Sequence, residues 1–375
     1  MDAMQVIRRL KTYVDMPSGS HDLKGLAAFS SVVEQDMRAL GFSVIRHSAP
    51  GVGDTLECIY GDGAHTLLLI GHMDTVFARE DSQPLTVIDE DTVRGSGVMD
   101  MKGGLLIMQE ALCRALPQLP ADARIVCVLS GDEEIGAPLS RGIISRCAKD
   151  AFACLSFEPK RDSGALVRSR KGVIAFTVRC TGISGHAGAA YLQSASAIQQ
   201  LCRVVDALYA LRDDARQISV NVGVISGGTA RNVVCGEARL EGELRYYDPA
   251  YTDELTRALR CICAEPGVPG TSTKLTIHTA HPPFELNEKG AAMLALAQKI
   301  GREMDVEVFA EDTGGVGDIA FASVQGAASL DGLGLHGLHM HTTQETGTIS
   351  SFELAVQLAN KLIEKLFENN FLKKV

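Results

Sequence analysis

No stretch of the 375 residues approaches the roughly 20 consecutive apolar residues needed to cross a membrane, so no membrane partner is expected. Nor is there any basic run or patch: 36 lysines and arginines against 46 aspartates and glutamates leave a net charge of −10. Binding to nucleic acid requires clustered basic side chains, and no nucleic-acid partner is expected. The N-terminal segment Met1-Asp2-Ala3-Met4-Gln5-Val6-Ile7-Arg8-Arg9 lacks the apolar core of a secretory leader, so no signal peptide is expected. A cysteine framework is missing too. The ten cysteines are scattered, mostly in apolar runs, and Cys261-x-Cys263 has the wrong spacing for a CxxC zinc or redox pair. They read as small buried hydrophobes in a reduced, cytoplasmic protein. Internal repeats and low-complexity segments are absent as well.

What is present is a chain that is 46% hydrophobic, long enough to bury a full core and to divide into two domains. Residues 22–40 place Leu26, Phe29, Val33, Met37 and Leu40 at helical spacing, and Gly41 is a natural stop. Thr66 to Ile70, Arg124 to Ser130 and Ala151 to Phe157 are short apolar runs, the pattern of strands covered on both faces. With a helical stretch from Leu105 to Leu116 between the first two, they predict an α/β domain with a largely parallel sheet.

From Val173 the pattern changes. A strand to Cys180 is followed by a helix with Ile198, Leu201, Val205 and Leu208 on one face, then strands Ile218 to Ile225 and Val234 to Tyr246. A helix carrying Leu255, Leu259 and Ile262 and a strand from Lys274 to Thr279 complete the unit. The order β-α-β-β-α-β is that of a ferredoxin-like α+β module. The expected division is 1–172 with 286–375 as one domain and 173–285 as an insertion. A last helix, aligning Ala355, Leu358, Leu362 and Leu366, returns to the first domain.

Five landmarks run through that first domain in order: Gly71-His72-Met73-Asp74, Asp100, Glu133-Glu134, Glu158 and His341. Several fall just beyond a predicted strand, where open α/β sheets bind their ligands. His72 and His341 offer imidazoles, Asp100 and Glu158 offer carboxylates, and Asp74 is placed to hold or orient His72. An aspartate has two oxygens, so Asp100 can bridge two cations. Adjacent glutamates can divide labour, one binding metal and one acting as general base. Zinc suits this mixed nitrogen and oxygen set, and manganese or cobalt would also be accommodated.

Together the motifs Gly71-His72-Met73-Asp74-Thr75-Val76, Gly97 to Gly104, Asp132-Glu133-Glu134, Phe157-Glu158-Pro159, and His341 with Glu345 four residues on carry a resemblance. The chain resembles the co-catalytic zinc exopeptidases and deacylases: glutamate carboxypeptidase, acetylornithine deacetylase, succinyl-diaminopimelate desuccinylase, aminoacylase and peptidase T. It is most similar to the bacterial glutamate carboxypeptidase branch through Thr181 to Gly188 and Thr313 to Asp318. The resemblance implies a zinc-binding catalytic domain and an inserted lid that also forms a homodimer. It implies two zinc ions bridged by Asp100, one completed by His72 and Glu158 and the other by Glu134 and His341, with a cis peptide after Asp100. Glu133 would be the general base, Asp74 would orient His72, His186 would steady the oxyanion, and Asn232 would contact substrate.

Two positions depart from that pattern. His281, in Ala280-His281-Pro282-Pro283, stands where such carboxypeptidases typically carry an arginine that grips the substrate carboxylate. Asn232-Val233-Val234-Cys235 replaces the usual Asn-x-Ile-Pro. Arg231 or Arg245 could supply the missing charge. The expected function is hydrolysis of the amide bond of short peptides or N-acyl amino acids with a free carboxylate. The alternatives are a biosynthetic deacetylase or desuccinylase, a peptidase T-like tripeptidase, or a non-catalytic binding protein on the same fold.

Overall fold

A computed structural model describes residues 2–264, 266–368 and 371. The chain forms two compact units, one of residues 1–169, 285–313 and 317–375, the other of 170–284 and 314–316. No helix of the described residues is long and apolar enough to cross a membrane.

The first unit is built on a six-stranded sheet. Its strands are β1 (Ser43–His47), β2 (Thr55–Tyr60), β3 (His65–His72), β4 (Ala123–Ser130) and β5 (Ala151–Ser156), with Ala328–Leu330 at the far edge. The order is β1-β2-β4-β3-β5 and then Ala328–Leu330. β3 lies parallel to both β4 and β5, and Ala328–Leu330 parallel to β5, while the β1/β2 and β2/β4 pairs are antiparallel. The Leu67-Leu68-Leu69-Ile70 run is fully buried because helices cover both faces, as its lack of alternation predicts.

The helix predicted over 22–40 is Leu23–Ala39. The Asp22 carboxylate accepts the Gly25 N–H at its start, and Gly41 follows its end in the left-handed region at φ 91°. The helix Gly103–Ala115 is buried on nearly every side. In the closing helix, Ile349–Leu366, the predicted stripe of Ala355, Leu358, Leu362 and Leu366 is buried.

The second unit holds four strands: β6 (Gly172–Thr181), β7 (Ser219–Gly227), β8 (Glu237–Tyr246) and β9 (Ser272–His281). Their order is β7-β8-β6-β9, every neighbouring pair antiparallel. This is the arrangement of the ferredoxin-like module expected from the element order. Helices Ala197–Tyr209 and Tyr251–Ala264 pack on the side chains of Ile174, Phe176, Val178, Leu240 and Leu244. One detail differs from the sequence reading. Ile198 is 42% exposed, and the buried stripe runs instead through Ala197, Leu201, Val204 and Leu208. These positions follow the 3.6-residue period more closely, which leaves Ile198 beside the stripe.

All ten cysteines are free thiols. Cys113, Cys202 and Cys261 are exposed and the other seven are buried.

Candidate active site

Three adjacent parallel strands of the first unit end in site residues. β3 ends at His72, β4 at Ser130 just before Glu133 and Glu134, and β5 at Ser156 just before Glu158. The register pairs His72 with Ser130 and Ile70 with Ser156, so β3 and β4 end level while β5 stops two residues short of them. Asp100 comes from a distorted turn, Val98–Lys102, that runs into the helix Gly103–Ala115, and the Asp100–Met101 peptide is cis. Glycines let this turn approach. Gly97 sits at φ 72°, and a Cβ on Gly104 would fall 2.1 Å from the Phe157 carbonyl oxygen.

Asp100 is the hub. Its Oδ1 lies 3.0 Å from His72 Nε2 and its Oδ2 2.9 Å from His341 Nε2. Glu158 Oε1 stands 3.5 Å from the same His72 nitrogen, and Glu134 Oε2 stands 3.5 Å from the same His341 nitrogen. Each imidazole nitrogen therefore faces one oxygen of Asp100 and one glutamate. Ligand atoms of His72, Asp100 and Glu134 lie within 4.8 Å of one another, a spacing that could hold a metal ion.

The histidine tautomer is fixed from behind. His72 Nδ1 is 2.9 Å from the Asp74 carbonyl oxygen, which can only accept. Nδ1 therefore carries a proton, and Nε2 faces the carboxylates, donating to Asp100 in the doubly protonated ring and offering its lone pair to a cation in the neutral one. The Asp74 carboxylate is 3.5 Å from the same Nδ1 and has further partners. It accepts the N–H groups of Glu133 at 3.2 Å and Glu134 at 3.1 Å, and the Ser20 hydroxyl at 2.8 Å. Asp74 thus positions the glutamate pair as well as the histidine.

The electrostatics describe a cluster with too little positive charge. Burial lifts the Glu134 carboxyl to about 8, and Asp100 adds to the shift. Burial and the neighbouring Glu158 push Glu133 well above the usual range. Burial also works against the charge of Asp100, but hydrogen bonds from His341 and His72 overcome it and hold that carboxyl low. The Asp100 hydrogen bond raises His341 to about 9.

Donor chemistry and geometry both fit divalent cations. Carboxylates and imidazoles converge in a largely buried space with His341 exposed at its edge, and Glu134 Oε1 is buried with no hydrogen-bond partner among the described residues. A buried acceptor without a donor is costly, and a cation would satisfy it.

Sequence reasoning assigned no role to three contributors that lie within its motifs. Glu345, 1% exposed, accepts the N–H groups of Gly97, Met99 and Asp100 at 3.2, 2.9 and 3.1 Å. It ties the Asp100 turn to the segment bearing His341; its offset of four residues from His341 was the available sign. Lys102 is fully buried, donates to the Met16 carbonyl at 2.6 Å and sits 4.9 Å from the centre of the Phe29 ring. Asp318 accepts the Ser130 hydroxyl at 3.0 Å, and burial, with Asp132 nearby, raises it to about 8.

The second unit brings two of its candidates together. Gly185–His186 pairs with Val233–Val234, and the Ala187 N–H donates to the Asn232 carbonyl at 3.0 Å. His186 is exposed, and its Nδ1 accepts the N–H groups of Gly188 and Ala189, each at 3.2 Å. In the neutral ring the proton must then be on Nε2, which leaves an outward-facing donor.

Of the three candidate cations, two are engaged or enclosed. Arg245 spans the Glu243 carboxylate at 2.8 Å and the Gly314 carbonyl at 2.7 Å. His281 is 1% exposed, with Nδ1 3.0 Å from the Pro282 carbonyl. Arg231 is exposed and makes no hydrogen bond or ion pair with a described residue.

Residues 68–365 match the profile of Peptidase family M20/M25/M40. The chain is 30% identical to carboxypeptidase G2 of Pseudomonas sp. (strain RS-16) over 373 residues, 96% of this chain and 89% of that one. It is 28% identical to succinyl-diaminopimelate desuccinylase of Stenotrophomonas maltophilia (strain R551-3) over 347 residues, 85% and 89% of the two chains. Among solved structures, the M20 family metallo-carboxypeptidase Sso-CP2 from Sulfolobus solfataricus superimposes with a TM-score of 0.77 at 16% identity. That match covers 97% of this chain and 99% of the other.

Proposed function

The chain belongs to Peptidase family M20/M25/M40 and is a hydrolase of that metallopeptidase family, and from that premise we propose which bond it cuts and with which residues. The reaction is hydrolysis of the amide bond of a short peptide or N-acyl amino acid that ends in a free carboxylate. The observation that carries this reading is the two-sided environment of Asp100, one histidine and one glutamate on each of its oxygens.

His72, Asp100 and Glu158 would hold one cation, and Asp100, Glu134 and His341 a second, with zinc the expected metal and manganese or cobalt as substitutes. When bound, such ions polarise a carbonyl and lower the pKa of water. The chain's own groups do the rest. Glu133, held by the Asp74 carboxylate through its N–H, takes the proton of the water that attacks the scissile carbonyl carbon. It then passes that proton to the leaving nitrogen as the C–N bond breaks. Asp74 keeps the His72 lone pair directed at the ligand position. His186 donates its Nε2 proton to the oxyanion, and Asn232 contacts the substrate. Arg231 is assigned to the substrate carboxylate, because the Arg245 guanidinium is occupied and His281 is enclosed.

A second reading, a deacetylase or desuccinylase, is favoured by the 28% identity to the desuccinylase. Amino-acid release from dipeptides, N-acetyl and N-succinyl derivatives sharing the same C-terminal residues separates the two, with Glu133→Ala as blank. Cleavage of dipeptides and bulky acyl forms alike supports the carboxypeptidase reading. Cleavage of one acyl derivative alone moves the chain to the deacylases.

A further inference from the structure

A cavity of about 200 Å³ lies in the first unit, away from the carboxylate cluster. Its wall is largely apolar, formed by Leu166, Met304, Val308 and Leu358; Leu354, 43% exposed, stands at its mouth, and the one carboxylate of the lining, Glu307, is exposed to solvent. Lys160 enters this lining; its backbone N–H donates to the Leu335 carbonyl at 3.3 Å, but its ammonium makes no hydrogen bond or ion pair with any described residue. The other basic group there, His336, is engaged at both nitrogens, by the Thr348 hydroxyl at 3.2 Å and the Asp162 carbonyl at 3.1 Å. An ammonium among aliphatic side chains loses hydration with nothing to replace it. One anionic oxygen would supply what it lacks, and the apolar wall would take the rest of the ligand.

We propose that this cavity is a second binding site, for a small apolar monocarboxylate whose head pairs with Lys160 and whose aliphatic or aromatic body fills the space between Leu166 and Leu358. It goes beyond the proposed hydrolysis, since none of its residues belongs to the metal-binding or proton-transferring set. It adjoins the proposed metal ligands in sequence. Lys160 is two residues past Glu158, and His336 is five before His341, so the site is built on the two segments that present those candidate ligands.

Calorimetric titration of the full-length, zinc-loaded protein with octanoate tests the proposal, with acetate and octanamide as controls. Octanoate is expected to bind one per chain. Octanamide should bind about tenfold more weakly, since a charge-assisted hydrogen bond is lost, and acetate, which buries almost no apolar surface, should not bind measurably. Lys160→Met is expected to weaken octanoate about tenfold while hydrolysing a dipeptide at the native rate in octanoate-free buffer. Leu354→Trp, which fills the mouth from an exposed position, should also lose octanoate, and it serves if Lys160→Met does not fold. Absence of saturable octanoate binding overturns the proposal, as does equal affinity in the native chain and both variants. The titration reads binding alone, so it stands whichever amide, if any, the chain hydrolyses.

Discussion

In the unit built on the mostly parallel sheet, His72, Asp74, Asp100 and Glu158 are all buried, and each is held by the backbone or by one of the others. In the antiparallel unit, His186, Arg231 and Asn232 are exposed, on short segments beside the sheet. Sheet architecture accounts for the difference. A parallel sheet is covered on both faces, so the ends of its strands are the remaining opening, and residues there inherit a desolvated, tightly braced environment. The four-stranded antiparallel sheet carries its helices on one face, and His186, Arg231 and Asn232 lie on exposed segments beside it. On the proposed reading, preorganisation belongs to the first unit and adaptable substrate contact to the second.

If that contrast is right, removing the cations should affect the two units unequally. Dialysis against a strong chelator is expected to abolish turnover. It should also remove the stabilisation that a tightly bound ion gives the native state, roughly 3–4 kcal/mol at a large excess over Kd. Hydrogen exchange would localise the loss. Protection should fall in 71–74, 97–104 and 133–135 and stay unchanged along β6 and β8. Equal loss in both units would break the comparison.

Glu133→Gln should lower kcat by about a thousandfold or more, as expected for loss of a general base. The carboxamide keeps the shape, and the backbone bond to Asp74 does not involve the side chain, so the melting temperature and bound metal should be unchanged. Near-native turnover would remove Glu133 from its assigned role. On the other unit, His186→Ala should cost about a hundredfold in kcat, the usual effect of losing one oxyanion donor. Its KM should barely change, and because the ring is exposed, so should the melting temperature. A large fall in stability would mean that this segment is braced like the other one.

Glu345→Ala should cost about 10- to 100-fold in metal affinity, the usual range for residues that position ligands. Glu345→Gln retains an acceptor for at least one of the Met99 and Asp100 N–H groups and should recover part of that loss. Metal stoichiometry against free zinc is the readout. A purely structural Glu345 would alter the melting temperature and leave zinc affinity intact.

The same contrast governs what was legible in the sequence. His72 and the glutamates are readable because a continuous apolar run ends immediately before them, so position and chemistry coincide at strand ends. The βαββαβ order of the second unit is readable because hydrophobic alternation and helical spacing alternate cleanly. Glu345 and Lys102 were not readable in role. Their partners are the backbone N–H groups of Gly97, Met99 and Asp100 and the Met16 carbonyl. Backbone partners brought together only by folding leave no residue-type pattern. The second duty of Asp74 was hidden for the same reason, since its contacts to Glu133 and Glu134 are through their N–H groups. Ile198 shows how a one-residue error arises at the edge of an amphipathic stripe, where a large apolar side chain can remain at the surface.

The smallest effect expected is also the most informative about substrate. Arg231 is an exposed guanidinium with no partner among the described residues, so replacing it disturbs no internal contact and should leave folding and metal content untouched. Its only assigned task is to meet a substrate carboxylate. Arg231→Ala should therefore raise KM by about tenfold, the value of one charge-assisted interaction, with kcat little changed, because such a contact is made equally in the ground and transition states. Arg231→Lys should recover part of the charge effect but none of the bidentate geometry. Substrates amidated at the C-terminus should be hydrolysed poorly by the native chain and no worse by Arg231→Ala. If Arg231→Ala instead leaves KM unchanged for free-carboxylate substrates, the assignment passes to Arg245 or His281. Substrate recognition in the antiparallel unit would then be as enclosed as the carboxylate cluster of the parallel one.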